Sequence, residues 1–176
     1  MLGIGGTLRK GSYSKGLLLE AQKLAPKDTV IEITEIDDFP LYNPDIPIPE
    51  KVKEFKNKIK EADTILFSTA EYNYSVPGSL KNAIDWGSRP YGDNSFEGKP
   101  AAIMSESTGI NAGSKAQYHL RQMMVYLDVH LLNKPEVMVP QAKEKFDESG
   151  NLIDEHAKEK IKELLEALVK WTERLR

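Results

Sequence analysis

Apolar runs of strand length alternate with amphipathic helical stretches from one end of the chain to the other, and this alternation constrains the fold more than any other feature. Strands are expected at Leu2–Ile4, Thr29–Thr34, Asp63–Ser68, Ala101–Ser105 and Glu136–Val139. Helices are expected at Ser14–Leu24, Pro49–Glu61, Gly78–Trp86, Ala112–Leu127 and Asp154–Leu175. In the fourth helix Ala116, Leu120, Met123, Met124 and Leu127 share one face, as do Ile161, Leu164, Leu165, Leu168 and Leu175 in the last. The Lys and Glu residues of the last helix fill its other side as solvated surface. Five strands separated by helices make an α/β chain with a parallel sheet covered on both faces, and the unbroken Ile65-Leu66-Phe67 run suits a doubly buried strand. Ligands of such sheets sit beyond the carboxyl ends of the strands, where strand order reverses. The loops after strands one, three and four are therefore where chemistry is expected.

The length of 176 residues suits one domain, taken here as residues 1–176. With no cysteine, the chain has no disulfide, thiolate nucleophile or Cys-ligated metal, so redox chemistry has to come from a bound cofactor. A net charge of −3 argues against nucleic-acid and anionic-membrane binding. The N-terminal residues lack a signal-peptide pattern, and no apolar run approaches the roughly 18 residues of a membrane span. A cytoplasmic location is the expectation. Phe39–Pro49 is Pro-rich and reads as an ordered surface connection.

After the first strand comes Gly5-Gly6-Thr7-Leu8-Arg9-Lys10-Gly11-Ser12-Tyr13-Ser14-Lys15, leading directly into a helix. Glycines allow close backbone approach to an anion, Thr7, Ser12 and Ser14 offer hydroxyls, and the helix start adds unpaired N–H groups. Arg9, with Lys10 and Lys15 nearby, could neutralise a phosphate. A tight turn with a Ser N-cap explains the same residues. The spacing is neither that of a P-loop nor of a dinucleotide fingerprint. After the third strand, Glu71-Tyr72-Asn73-Tyr74-Ser75-Val76-Pro77-Gly78 is an aromatic, hydrogen-bonding loop of the kind a planar heterocycle needs, and core packing is its plainer use. For Trp86, inside a helix, core packing is preferred. After the fourth strand, Ser105-Glu106-Ser107-Thr108-Gly109 resembles a nucleophile elbow but has Ser105 where the first glycine belongs. No histidine follows at a suitable place, so the loop is better suited to wrapping a ligand edge with N–H groups freed by Gly109 and Gly113. His119, His130 and His156 show no metal-ligand spacing, and His119 reads as helix surface. No carboxylate pair stands out as an acid/base couple, so no catalytic side chain and no metal ligand is assigned.

Together the three loops resemble the NADPH-dependent FMN reductase family, flavodoxin-like proteins that include flavin, quinone, azo-dye and chromate reductases. The family's G-S-x-R-x-x-S-x-N motif is matched by Gly6 to Ser14, with Thr7 for Ser and Ser14 for Asn. Its P-E-Y-N-x-S-x-P-G-x-L-K-N-A-I-D-W motif is met by Glu71 to Trp86, with Ala70 at the leading Pro. The resemblance implies a flavodoxin-like sandwich with strand order 2-1-3-4-5. It implies FMN with its phosphate on Thr7, Arg9, Ser12 and Ser14 and its isoalloxazine against Glu71, Tyr72, Asn73 and Tyr74, with Ser107, Thr108 and Gly109 as further contacts. The fourth loop departs from the family's glycine pattern at Ser105, Ala112 and Ser114. NADPH or NADH would donate hydride and a small-molecule acceptor would take it in a ping-pong cycle. A homodimer or homotetramer is implied, with the Leu80–Trp86 helix as its candidate interface. The alternative reading is a flavodoxin-like FMN carrier without NAD(P)H oxidation.

Overall fold

The computed structural model describes residues 1–176. Its elements run β1 (Leu2–Gly5), α1 (Tyr13–Lys23), β2 (Glu32–Thr34), α2 (Glu50–Glu61), β3 (Ile65–Ala70), α3 (Gly78–Gly87), β4 (Pro100–Glu106), α4 (Ser114–Tyr126), β5 (His130–Leu131), β6 (Val137–Val139), α5 (Ala142–Lys145) and α6 (Glu155–Leu175). All strands are parallel, in the order β2-β1-β3-β4-β5, with β6 also paired to β4. This is the flavodoxin-like arrangement.

Side chains alternate along the central strands, so each strand feeds two cores. Ile65, Phe67, Ala101 and Ile103 point into a layer shared with Phe55 and Ile59 of α2, Leu80 and Ile84 of α3, and Leu120 and Met124 of α4. Leu66, Ala102 and Met104 point into the opposite layer with Leu17 and Leu18 of α1 and Ile161, Leu164, Leu165 and Leu168 of α6. Leu175, expected on that face, is exposed in the final turn of α6.

Three boundaries depart from expectation. β2 is shorter than Thr29–Thr34 because its pairing with β1 runs only from Leu2↔Glu32 to Ile4↔Thr34. β3 starts and ends two residues later than Asp63–Ser68, and Thr69 and Ala70 extend it by pairing with Ser105 and Glu106. The fifth sheet position is divided: β5 pairs with Pro100 and Ala101, and β6 with Met104 to Glu106. Between them lies Pro135, which has no N–H to give a ladder.

The Pro-rich segment is an ordered connection fastened to α3. The Pro40 carbonyl accepts from Asn82 Nδ2 (2.9 Å) and Trp86 Nε1 (2.7 Å), and the Tyr42 N–H donates to Asn82 Oδ1 (2.7 Å). Trp86 is buried, as expected. Leu80, Ala83 and Ile84 are also buried in the chain's own core. The apolar side of α3 is thus spent within the chain, and α4 carries exposed apolar residues at Tyr118, Val125 and Tyr126.

Candidate active site

The loop leaving β1 is drawn tightly against β3. The Gly6 N–H donates to the Ser68 carbonyl at 2.8 Å, and Ser79 Oγ donates to the Gly6 carbonyl at 2.9 Å. A Cβ on Gly6 would stand 3.3 Å from that Ser68 oxygen, so the close approach favours glycine. Beyond it the hydroxyls of Thr7, Ser12 and Ser14 form a triangle. Ser12 Oγ and Ser14 Oγ are 2.8 Å apart, Thr7 Oγ1 and Ser14 Oγ are 3.2 Å apart, and Thr7 contacts Ser12. Ser12 is also the N-cap of α1, accepting from the Lys15 N–H at 3.2 Å. Ser12 thus is the helix cap that the sequence allows, and it also lines the cleft described below. Hydroxyl protons rotate freely, so these three can turn toward an anion without backbone movement.

Arg9 is exposed beside them, its Nη2 donating to the Gly11 carbonyl (2.5 Å) and its guanidinium 4.8 Å from the Tyr13 ring centroid. Lys15 is committed elsewhere, in an ion pair with Glu35 at 2.8 Å. Arg9 lines the cleft described below and Lys15 does not.

Past β3, Tyr72 and Ser75 pair across a two-residue turn, exchanging N–H···O bonds of 2.9 and 3.0 Å. Asn73 (φ 51°) and Tyr74 (φ 65°) both occupy the left-handed region, uncommon for a bulky residue and a mark of local constraint. Tyr72 is 51% exposed and Tyr74 64%. Lys115 Nζ lies 3.6 Å from the Tyr74 ring centroid. The exposed His119 contacts Ser75 Oγ through Nδ1 at 3.2 Å.

Glu71 has a task the sequence did not reveal. Its Oε2 accepts from the N–H groups of Lys115 (3.0 Å) and Ala116 (3.3 Å). The N-cap of α4 is Gly113, which has no side chain to offer, so a carboxylate from 44 residues upstream caps that helix.

The loop after β4 folds back on β6 and α5. The Ser107 N–H donates to the Val139 carbonyl (3.1 Å), the Gln141 N–H to the Gly109 carbonyl (3.1 Å), and the Ala142 N–H to the Ser107 carbonyl (2.9 Å). The Gly109 N–H is held by Ser107 Oγ at 3.1 Å. Two of the N–H groups expected to wrap a ligand edge are thus occupied internally. Ser105, at the elbow's first glycine position, is buried with its Oγ donating to the Ala112 carbonyl (2.8 Å), and Ser107, at the nucleophile position, has no histidine beside it in the cleft lining.

These loops enclose a cleft of about 190 Å³ at the carboxyl ends of β1, β3 and β4. Of the predicted residues, Thr7, Arg9, Ser12, Glu71, Tyr72, Ser107 and Thr108 line it. Ser14 stands behind the lining in the hydroxyl triangle, Asn73 and Tyr74 form the adjoining turn, and Gly109 lies outside. Tyr13, Ala70 and Glu106 complete the wall. Within the elbow-like string the sequence marks Glu106 only as a carboxylate that ends an otherwise apolar and small strand. Burial pushes its pKa up to about 7, against the opposing pull of the Arg9 guanidinium and the Ser14 backbone N–H. No histidine lines the cleft. Three convergent hydroxyls, a guanidinium and a helix start match the acceptor oxygens of a phosphate monoester, and the exposed tyrosines beside them match a planar ring.

A family model described as NADPH-dependent FMN reductase matches residues 1–144. An NAD(P)H-dependent FMN reductase of Pseudomonas aeruginosa is 51% identical, aligning with 100% of this chain and 96% of that protein. An NADPH:quinone oxidoreductase of Arabidopsis thaliana is 46% identical, over 98% of this chain and 91% of its own. Among solved structures, the flavoenzyme FerB, an NAD(P)H:(acceptor) oxidoreductase from Paracoccus denitrificans, superposes with a TM-score of 0.89 at 36% identity, covering 98% of this chain and 96% of that one.

Proposed function

Since the chain belongs to the NADPH-dependent FMN reductase family, we propose that it passes reducing equivalents from NAD(P)H by way of FMN to a quinone in a ping-pong cycle. It is an NAD(P)H-dependent oxidoreductase of the FMN and quinone reductase type, with FMN as cofactor. The observation that carries the reading is the cleft itself, where a hydroxyl triangle with Arg9 stands at one end and Tyr72 with its exposed turn at the other. FMN bound there would supply the two-electron hydride chemistry that a chain without cysteine lacks.

The chain's own groups bind and orient. Thr7, Ser12, Ser14 and Arg9 hold the phosphate through charge-assisted hydrogen bonds. Tyr72 and the Asn73–Tyr74 turn flank the ring, and Ser107 and Thr108 border the ribityl side. Glu71 acts through α4, fixing the turn against that helix. An open rim of this kind admits donor and acceptor in turn.

The cleft of about 190 Å³ is smaller than the roughly 300–1,000 Å³ that commonly encloses a ligand. A second subunit in a homodimer or homotetramer completes the wall, with the exposed stripe Tyr118, Val125 and Tyr126 of α4 as the docking face.

The test is direct. Purified protein is titrated with FMN by flavin fluorescence quenching, and NADPH absorbance is followed with and without a quinone. FMN binding with quinone-dependent NADPH oxidation and parallel double-reciprocal plots is expected. Absence of FMN binding overturns the reading, FMN without NADPH oxidation supports the electron-carrier alternative, and intersecting plots rule out ping-pong order.

A further inference from the structure

Glu106 stands where an anion is expected to bind, and it is itself an anion. It ends β4, in register with Ala70 of β3 and Val139 of β6, and is 4% exposed. Its side chain shares the cleft wall with Thr7, Arg9 and Ser12. A carboxylate and a phosphate dianion in one poorly hydrated cradle repel each other, whereas a carboxylic acid donates a hydrogen bond to a phosphate oxygen.

The surroundings do not supply a second cation to offset that repulsion. The other titratable groups facing the cleft are Arg9 from the loop after β1, Tyr13 from the start of α1, and Glu71 and Tyr72 from the loop after β3. β6 brings Val139 beside it. From α4's cap comes the backbone of Gly113, where a Cβ would stand 2.8 Å from the Glu106 carbonyl oxygen. Glu71 is already paired with the start of α4, so Arg9 alone would have to balance both Glu106 and a phosphate. Burial holds the Glu106 carboxyl near neutrality, so changing its protonation takes little energy at working pH.

We propose that Glu106 couples binding of a phosphorylated flavin to uptake of one proton, which makes it a specificity residue for the phosphate end of the cleft. The inference rests on the FMN reading above. The sign follows from charge. Below neutral pH Glu106 is neutral and FMN binds most tightly; above it, ionised Glu106 must take up a proton for each FMN bound. Affinity then falls by up to about tenfold per pH unit. The phosphate's own second ionisation, at a pKa of about 6, is roughly three-quarters complete at the start of this window, and its remainder strengthens binding to hydroxyls and Arg9, the opposite sign to the fall. Riboflavin, lacking the phosphate, has no such dependence.

FMN and riboflavin are titrated into the full chain by fluorescence quenching between about pH 6.5 and 8.5, and by calorimetry in buffers of different ionisation enthalpy. Expected for the unmodified protein are an FMN Kd that rises roughly ten- to twenty-five-fold across that range, a flat riboflavin Kd, and nearly one proton taken up per FMN at the upper end. Glu106→Gln is expected to flatten the FMN profile and bind FMN more tightly than the unmodified protein at the alkaline end. The calorimetric proton count needs no variant, so it decides the matter even where Glu106→Gln folds poorly. FMN that binds with pH-independent affinity and no proton uptake overturns this inference alone, as does one slope shared by both proteins. FMN that fails to bind at every pH overturns the reading of the cleft, and this inference with it.

Discussion

At one end of the cleft the hydroxyls of Thr7, Ser12 and Ser14 lie within hydrogen-bonding reach of one another, behind a loop pinned to β3 through Gly6. At the other end Tyr72 and Tyr74 project from a four-residue hairpin, more than half exposed, with two consecutive residues at positive φ. The first end is preorganised by burial and hydrogen bonding; the second is held by the hairpin's two backbone bonds and by Glu71 on α4. In the proposed binding mode this difference divides labour. The enclosed end sets how firmly the cofactor is retained, and the open end sets which substrates reach it.

Gly113→Ala would damage the enclosed end most. A Cβ there meets the Glu106 carbonyl oxygen at 2.8 Å and Ser105 Cβ at 2.9 Å, at a φ of 75°. A loss of about 3 kcal/mol in stability is expected, seen as a fall in Tm of roughly 6–12 °C. Arg9→Ala would leave the fold intact and weaken FMN binding by about 1–3 kcal/mol, with riboflavin binding nearly unchanged. Equal losses for both flavins would show that Arg9 serves the loop and not the phosphate. Glu71→Ala removes the cap of α4 and is expected to cost about 1 kcal/mol in urea unfolding, with Glu71→Gln milder because one acceptor oxygen remains. The smallest effect is expected at the open end, where Tyr74→Gly should change stability by less than about 0.5 kcal/mol. It should weaken FMN binding less than Arg9→Ala does and raise KM for the quinone. A large drop in FMN affinity in that variant would erase the distinction between the two ends.

Much of this was legible in the sequence, because the features concerned are local. Ile65-Leu66-Phe67 announces a strand buried on both sides, Ser12 announces a helix start, and the three loops sit where a parallel sheet places its ligands. What stayed hidden depends on residues far apart in the chain. Glu71 looked like a ring contact, and only folding shows that α4 lacks a capping side chain and draws on that carboxylate. The left-handed turn at Asn73–Tyr74 carries no glycine to announce it. Gly109 promised a free N–H, but neighbouring Ser107 takes it up. The elevated pKa of Glu106 is a property of its burial, which no string of letters displays.

The division of the fifth sheet position bears on how the cleft wall is held. β5 ends at Leu131, where the Leu132 N–H makes a last bond to the Ala101 carbonyl at 2.8 Å, and β6 begins only at Val137. Near the break, Gln117 Nε2 donates to the Val137 carbonyl at 3.2 Å, a side chain helping where no strand continues. A strand paired along its full length transmits displacement from end to end, and an interrupted one does not. Val139 and Ala142, which grip Ser107 at the cleft wall, belong to the outer piece. That wall therefore takes its position from β4 and the buried Val137, Val139 and Ala142, independently of β5.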